Sequence, residues 1–261
     1  PASEEDLATI LKFCAAHRVP FFVIGRGSNL LVRDGGFRGV ILCLSQAAFG
    51  RIEIMDGKLR CGSGAKLKSV AVEARRQGMS GLEFLEGIPG TIGGALRMNA
   101  GAMGSQTFDV VESVRLMDGD GNVREVEPAD MSVKYRGCES LKNHAALGAV
   151  LKGRADSPES IAQRMSAFSR KRWATQPAAS SAGCMFKNPP SIPAGRLIDE
   201  LGLKGARVGG AVVSREHGNF IVNDGDATAR DVLELMELLR AKAKAARGIE
   251  LQTEVEIIGE E

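Results

Sequence analysis

GIPGTIGGALRMNAGAMG, residues 87–104, decides how the chain is read: six of its eighteen residues are glycine and Arg97 is its one charged group. Glycine is favoured where the backbone takes positive φ or approaches another group closely, and each one costs conformational entropy on folding. A run of backbone N–H groups clear of side chains can wrap an anion or lie against a flat ring system. The alternative for an isolated stretch of this kind is a tight, buried structural crossing. A second glycine-rich element bears on the choice. Gly25-Arg26-Gly27-Ser28-Asn29 lies between the apolar runs Phe21–Ile24 and Leu30–Val32. It is no Rossmann fingerprint, which needs a third glycine and a following helix, whereas here the chain re-enters a strand. Such a turn would meet phosphate through its own amides and the side chains of Ser28 and Asn29.

The rest of the chain sets bounds. A length of 261 residues with 44% hydrophobic and 25% charged residues predicts a soluble globular protein of two domains. The formal net charge of +2 is too small to attract nucleic acid as a whole, so an anionic ligand must be met by a local cluster. Five scattered cysteines, without a CxxC or a nearby histidine pair, predict a reducing cytoplasm and no metal site. No leader pattern and no long apolar run predicts secretion or a membrane span. The first residue is proline, so the sequence is expected to be trimmed or part of a longer polypeptide.

Ser3 followed by Glu4-Glu5-Asp6 and apolar Leu7, Ile10, Leu11 and Cys14 predicts a capped helix to about His17. Strands are expected through 19–44, then a hairpin over 51–61 turning at Asp56-Gly57. Next come a helix over 65–77 stopped by Gly78, a hairpin over 114–126 and a strand at 149–151. Ser157-Pro158 opens a helix to about Ala174. The second half is expected to hold a short helix (195–201), strands at 210–213 and 220–222, a long helix (227–247) and a last strand (250–258). The fold class is α+β, in two domains cut at 155/156, because regular βαβ alternation is missing.

Several residues could carry chemistry. Cys184, in SSAGCMFKNP, is either a small core hydrophobe or, with small neighbours and Lys187 three residues on, an accessible thiol beside a cation. Tyr135-Arg136 presents a guanidinium fork suited to a carboxylate. Glu254, in LQTEVEIIG, is either on the wet face of an edge strand or a functional carboxylate. Arg170-Lys171-Arg172-Trp173 reads as a solvated helix end, or as a contact for a diphosphate. His217, in SREHGNF, is read as structural rather than as a base.

Taken together, GxGSN, the 87–104 stretch, VKYRG, SAGCMFKNP and the LQTEVEIIG ending resemble, in order and over essentially the whole chain, the UDP-N-acetylenolpyruvoylglucosamine reductases of bacterial cell-wall synthesis. The resemblance implies a two-part FAD-binding domain of the vanillyl-alcohol-oxidase type over 1–155 and a smaller α+β substrate-binding domain over 156–261. It implies non-covalent FAD at Gly25, Arg26, Gly27, Ser28, Asn29, Leu30, Gly90, Gly93, Gly94, Asn99, Ala100 and Gly101, and NADPH as reductant. The nucleotide-sugar substrate would meet Tyr135, Arg136, Arg172, Lys187, Asn188 and Asn219. Arg136 matches the arginine that holds the enolpyruvyl carboxylate, and Glu254 the second catalytic group. Cys184 stands where the family's SAGS-x-FKNP stretch has its proton-donating serine, a conservative departure because a thiol is the stronger acid. The usual strand before the first helix is missing, and the short path from Arg136 to Arg170 implies the smaller type without a tyrosine-bearing loop. A monomer is expected, with fusion to or association with another cell-wall enzyme left open. Two other readings remain: an oxidase of the same FAD-binding fold acting on a sugar or alcohol, and a non-catalytic nucleotide-binding module.

Overall fold

The computed structural model describes all residues from Pro1 to Glu261. They form two compact units, Pro1–Arg26 with Gly39–Arg170, and Gly27–Arg38 with Lys171–Glu261. This division differs from a single cut at 155/156 in two places, each for a physical reason. The helix after residue 156 buries Ile161 and Met165 in the first unit's core, and its Arg164 is ion-paired with Glu83 and Asp156. Residues 27–38 join the second unit because Leu30–Val32 pairs in parallel with Glu256–Ile258.

In the first unit, helix α1 (Glu4–His17) starts as its sequence dictates: the Ser3 hydroxyl accepts from the Asp6 amide at 3.2 Å, and three acids occupy the first turn. It buries Leu7, Leu11 and Cys14 and stops at Arg18 in the left-handed region. Phe21–Ile24 and Val40–Cys43 form a parallel pair. A five-stranded antiparallel sheet runs in the order Val123–Val126, Val111–Met117, Ala145–Leu151, Lys58–Gly62, Ile52–Met55. Its last hairpin turns through Asp56 (φ 49°) and Gly57 (φ 72°), the paired positive φ that matches strand twist. Helix α2 (Leu67–Arg76) packs Leu67, Val70, Ala71 and Ala74 inward, and Gly78 (φ 64°) ends it.

The 87–104 stretch is not a continuous loop. Its middle is helix α3 (Ile92–Met98), capped by Thr91 and closed by Asn99 in the left-handed conformation at φ 40°. Glycine is tolerated inside this helix because another backbone lies against it: the Gly93 amide donates to the Ser63 carbonyl at 2.8 Å, and a Cβ on Gly93 would lie 3.1 Å from Ser63 Cβ. Helix α4 (Pro158–Thr175) follows the sheet.

The second unit has a four-stranded antiparallel sheet, in the order Ser181–Cys184, Phe220–Asn223, Ala211–Val213, Arg207–Val208. Helices α5 (Ala194–Glu200) and α6 (Ala229–Arg247) complete it, around a core that includes Phe186, Leu197, Val213, Leu235, Leu239 and Val255. A Thr228–Asp231 capping box starts α6. The Asp34 carboxylate adds to it by accepting from the Ala229 and Arg230 amides at 2.8 and 3.0 Å. The final strand is shorter than expected, Glu256–Ile258. Residues 252–254 instead run beside 185–187, through Lys187 N to Gln252 O and Glu254 N to Met185 O, both 2.8 Å.

Candidate active site

The first unit contains a cavity of about 340 Å³ whose lining includes Gly25, Arg26, Gly93 and Gly94 from the two glycine-rich elements. Ser63, Gly64, Lys66, Thr91, Arg97 and His144 also line it, and no carboxylate does. Arg97 is fixed by donating to the Leu141 carbonyl at 2.8 Å and by lying 5.0 Å above the Phe22 ring centre. His144 donates from Nδ1 to the Ser140 carbonyl at 2.8 Å, so Nε2, 3.3 Å from an Arg124 nitrogen, accepts. The Ser63 hydroxyl is buried without a hydrogen-bond partner in the protein. A Cβ on Gly94 would meet only the Thr91 hydroxyl, at 3.7 Å, so that face is open. Cations without acids, an orphaned hydroxyl and bare backbone fit the diphosphate of a dinucleotide such as FAD.

Ser63, Gly64 and Lys66 were not singled out in the sequence, although Gly62-Ser63-Gly64 between a strand and a helix was the available signal. Those glycines are required by close approach: a Cβ would fall 2.2 Å from Phe49 O at Gly62 and 2.0 Å from Leu44 O at Gly64.

Other residues expected at the cofactor make contacts within the first unit. The Gly90 carbonyl accepts from Leu67 N at 3.2 Å, and the Ala100 carbonyl accepts from the Thr107 amide and hydroxyl at 2.9 and 2.8 Å. Asn99 is buried, and its amide donates to Gln106 Oε1 and Lys134 O, both at 3.1 Å, while accepting from Phe108 N at 3.2 Å. The Gly101 carbonyl serves Arg136. Tyr135 and Arg136 form the two-residue turn between Val133–Lys134 and Gly137–Cys138, with Arg136 at φ 55°. The guanidinium donates to Gly101 O at 3.1 Å and to Asn99 O at 3.5 Å, and lies 4.9 Å from the Tyr135 ring centre. A Cβ on Gly101 would fall 2.6 Å from Ser105 O and 2.9 Å from Arg136 Nη1, so the facing main chain requires glycine here and the arginine lies against it. The remaining expected cofactor residues, Gly27, Ser28, Asn29 and Leu30, belong to the second unit.

In the second unit, Cys184 ends its strand after Gly183 (φ 77°) and is half-buried, whereas Cys14, Cys61 and Cys138 are buried. Burial pushes the Cys61 thiol up to about 12. The amide of half-buried Glu254 donates to the carbonyl of Met185, so Cys184 and Glu254 are carried by neighbouring chain segments. Asn29 ties that segment further, donating from Nδ2 to Glu254 O at 3.2 Å and accepting from Glu256 N at 3.0 Å.

Asn219 has a structural use within the second unit. It is 3% exposed, and its side chain accepts from Phe186 N at 2.9 Å and donates to Phe186 O at 2.7 Å. Its amide group is spent on scaffold because Phe186 is wholly buried and its main chain needs partners there. Asn188 accepts from Ala194 N at 3.0 Å, at the start of α5. Lys187 and Arg172 are half-buried. His217 accepts at Nδ1 from Asn219 N at 3.1 Å; burial, then the nearby Lys204 charge, hold its pKa below the usual value.

Comparison with known proteins first gives the class. Residues 1–127 match the family described as FAD binding domain, so the chain is a flavoprotein of two-part α+β build. Residues 176–258 match the C-terminal domain of UDP-N-acetylenolpyruvoylglucosamine reductase. The reductase of that name from Syntrophomonas wolfei is 44% identical, with 100% of this chain and 88% of the relative covered. The one from Maricaulis maris is 44% identical over 99% of this chain and 84% of its own. A crystal structure of the Thermus caldophilus reductase superposes with a TM-score of 0.83 at 40% identity, covering 97% of this chain and 89% of that one. The chain belongs to the UDP-N-acetylenolpyruvoylglucosamine reductase family. None of its helices is long and apolar enough to cross a membrane.

Proposed function

We propose that the protein reduces UDP-N-acetyl-3-O-(1-carboxyvinyl)-glucosamine to UDP-N-acetylmuramate with NADPH, in the cytoplasm, as a step of peptidoglycan precursor synthesis. Bound FAD would supply the redox chemistry, hydride transfer from NADPH to the vinyl ether. Arg26, Lys66 and Arg97, with the open face at Gly94, would hold its diphosphate.

Reduction of an enolpyruvyl ether builds negative charge toward the carboxylate, and then requires a proton at the carbon next to it. The planar fork of Arg136 binds that carboxylate, and Glu254 is the second group that stabilises the charged intermediate. Cys184 delivers the proton from Sγ, as a thiol more acidic than the serine hydroxyl it replaces. Lys187 and Arg172 meet the anionic part of the nucleotide sugar, with Tyr135 beside Arg136.

The observation that supports this most directly is the hydrogen bond from Glu254 to Met185, which keeps the segment of the carboxylate beside that of the thiol. The oxidase and the non-catalytic module lose support, since the relatives compared are reductases by name over nearly the full chain. The test is spectroscopic. Purified protein should carry FAD that denaturation releases, and should oxidise NADPH quickly only when the enolpyruvyl nucleotide sugar is added. A colourless protein that takes up no FAD, or equally fast NADPH oxidation with oxygen alone, contradicts the proposal.

A further inference from the structure

Arg240, on the inward side of α6, touches both segments that carry the proposed proton-transfer pair. Its Nε donates to Leu251 O at 3.2 Å, and its two terminal nitrogens reach the Thr253 hydroxyl and the Glu237 carboxylate. Its guanidinium carbon lies 5.6 Å from the ring centre of Phe186, two residues after Cys184. One planar cation thus grips the chain just before Glu254 and presses on the aromatic ring just after Cys184. We infer that Arg240 is a positioning residue for the reaction: it fixes the 251–253 segment, and through it the Glu254 carboxylate, against the strand that ends at Cys184. The inference rests on the function proposed above.

The chemistry favours a positioning role over general stability. Main-chain bonds from Lys187 to Gln252 and from Glu254 to Met185 survive loss of Arg240, so the segment stays attached. What is lost is the side-chain grip on the Leu251 carbonyl and the Thr253 hydroxyl, with Leu251 4% exposed. A lysine cannot replace it, since a single ammonium lacks a fork that meets three partners in fixed directions. Displacement of about 1 Å in a catalytic group can cost on the order of 100-fold in rate. A slowing of about 10- to 100-fold is therefore expected in the step that uses Glu254 and Cys184, and little elsewhere.

The experiment uses FAD-loaded enzyme and stopped-flow flavin absorbance on Arg240→Gln, Arg240→Lys and, as a control for loosening α6, Leu239→Val. Flavin reduction by NADPH should stay within a few-fold of wild type in all three. Reoxidation by the enolpyruvyl substrate should slow about 10- to 100-fold in both Arg240 variants and not in the control. Amide hydrogen exchange at Thr253 and Glu254 should quicken only in the Arg240 variants. Reoxidation in Arg240→Gln no slower than in Leu239→Val overturns the inference. Wild-type enzyme that NADPH reduces but the substrate does not reoxidise would instead overturn the function on which it rests.

Discussion

Asn219→Ala separates scaffold from substrate contact. The Asn219 side chain makes two hydrogen bonds to the main chain of Phe186, a residue with 0% exposure. Truncation leaves one buried N–H and one buried C=O unpaired, each worth about 1–3 kcal/mol, so a loss of about 2–6 kcal/mol is expected. For a protein of this size each kcal/mol moves the melting midpoint by roughly 2–4 °C, which makes the shift large in scanning calorimetry. Asn219→Asp sharpens the test. It keeps the acceptor for Phe186 N but turns a carboxylate oxygen toward Phe186 O, so it should be at least as damaging at neutral pH and recover in part as acid protonates it. The substrate KM of the folded fraction should change little. An unchanged midpoint with a KM raised tenfold or more in Asn219→Ala would refute the scaffold reading and return Asn219 to the substrate.

Arg136→Lys should lower kcat/KM for the enolpyruvyl substrate at least tenfold despite conserved charge, because the Gly101 carbonyl and a carboxylate together need the fork; wild-type steady-state kinetics would remove Arg136 from the site. Cys184→Ala should be reduced by NADPH normally and slow only in reoxidation, by about 10²- to 10⁴-fold, with Cys184→Ser recovering much of it. Unchanged reoxidation in Cys184→Ala discards the proton-donor role. Gly94→Val should fold with a normal midpoint yet retain little FAD, since the Cβ points into open cavity, and full FAD occupancy would contradict that. Because the folded pKa of His217 is depressed, the unfolded chain takes up the proton first, and stability should fall as pH drops below about 6.5. That slope should flatten in His217→Gln, and an identical pH profile in the variant would exclude His217 as its source.

Local signals carried most of the fold. Ser3 before three acids, Asp56-Gly57 between alternating strands, and Thr228 with Asp231 each specify their element from within a few residues, and each formed there. Long-range pairing left no such mark. Nothing in Leu30–Val32 announces Glu256–Ile258 as its parallel neighbour, so the segment 27–38 could not be assigned to the second unit from composition. Helix α3 was hidden because Gly93 answers to the close approach of Ser63, and Gly94 to the cavity it opens on, rather than to helix propensity. Among the residues proposed for catalysis, Arg136, Cys184 and Glu254 stood out by residue type and by motif. The uses of Asn219, Asn99 and the Gly101 carbonyl were illegible, because each is set by a partner distant in sequence: Phe186, Lys134 and Arg136.

The most direct measurement of the central claim is anaerobic turnover of FAD-loaded protein with NADPH and enolpyruvyl-UDP-N-acetylglucosamine, following NADPH absorbance and the nucleotide sugar by mass spectrometry. The expected result is one UDP-N-acetylmuramate formed, heavier than the substrate by the mass of H₂, for each NADPH consumed, with no consumption when the substrate is left out. Unaltered substrate after NADPH has been consumed, or a flavin that NADPH reduces and the substrate leaves reduced, would contradict it.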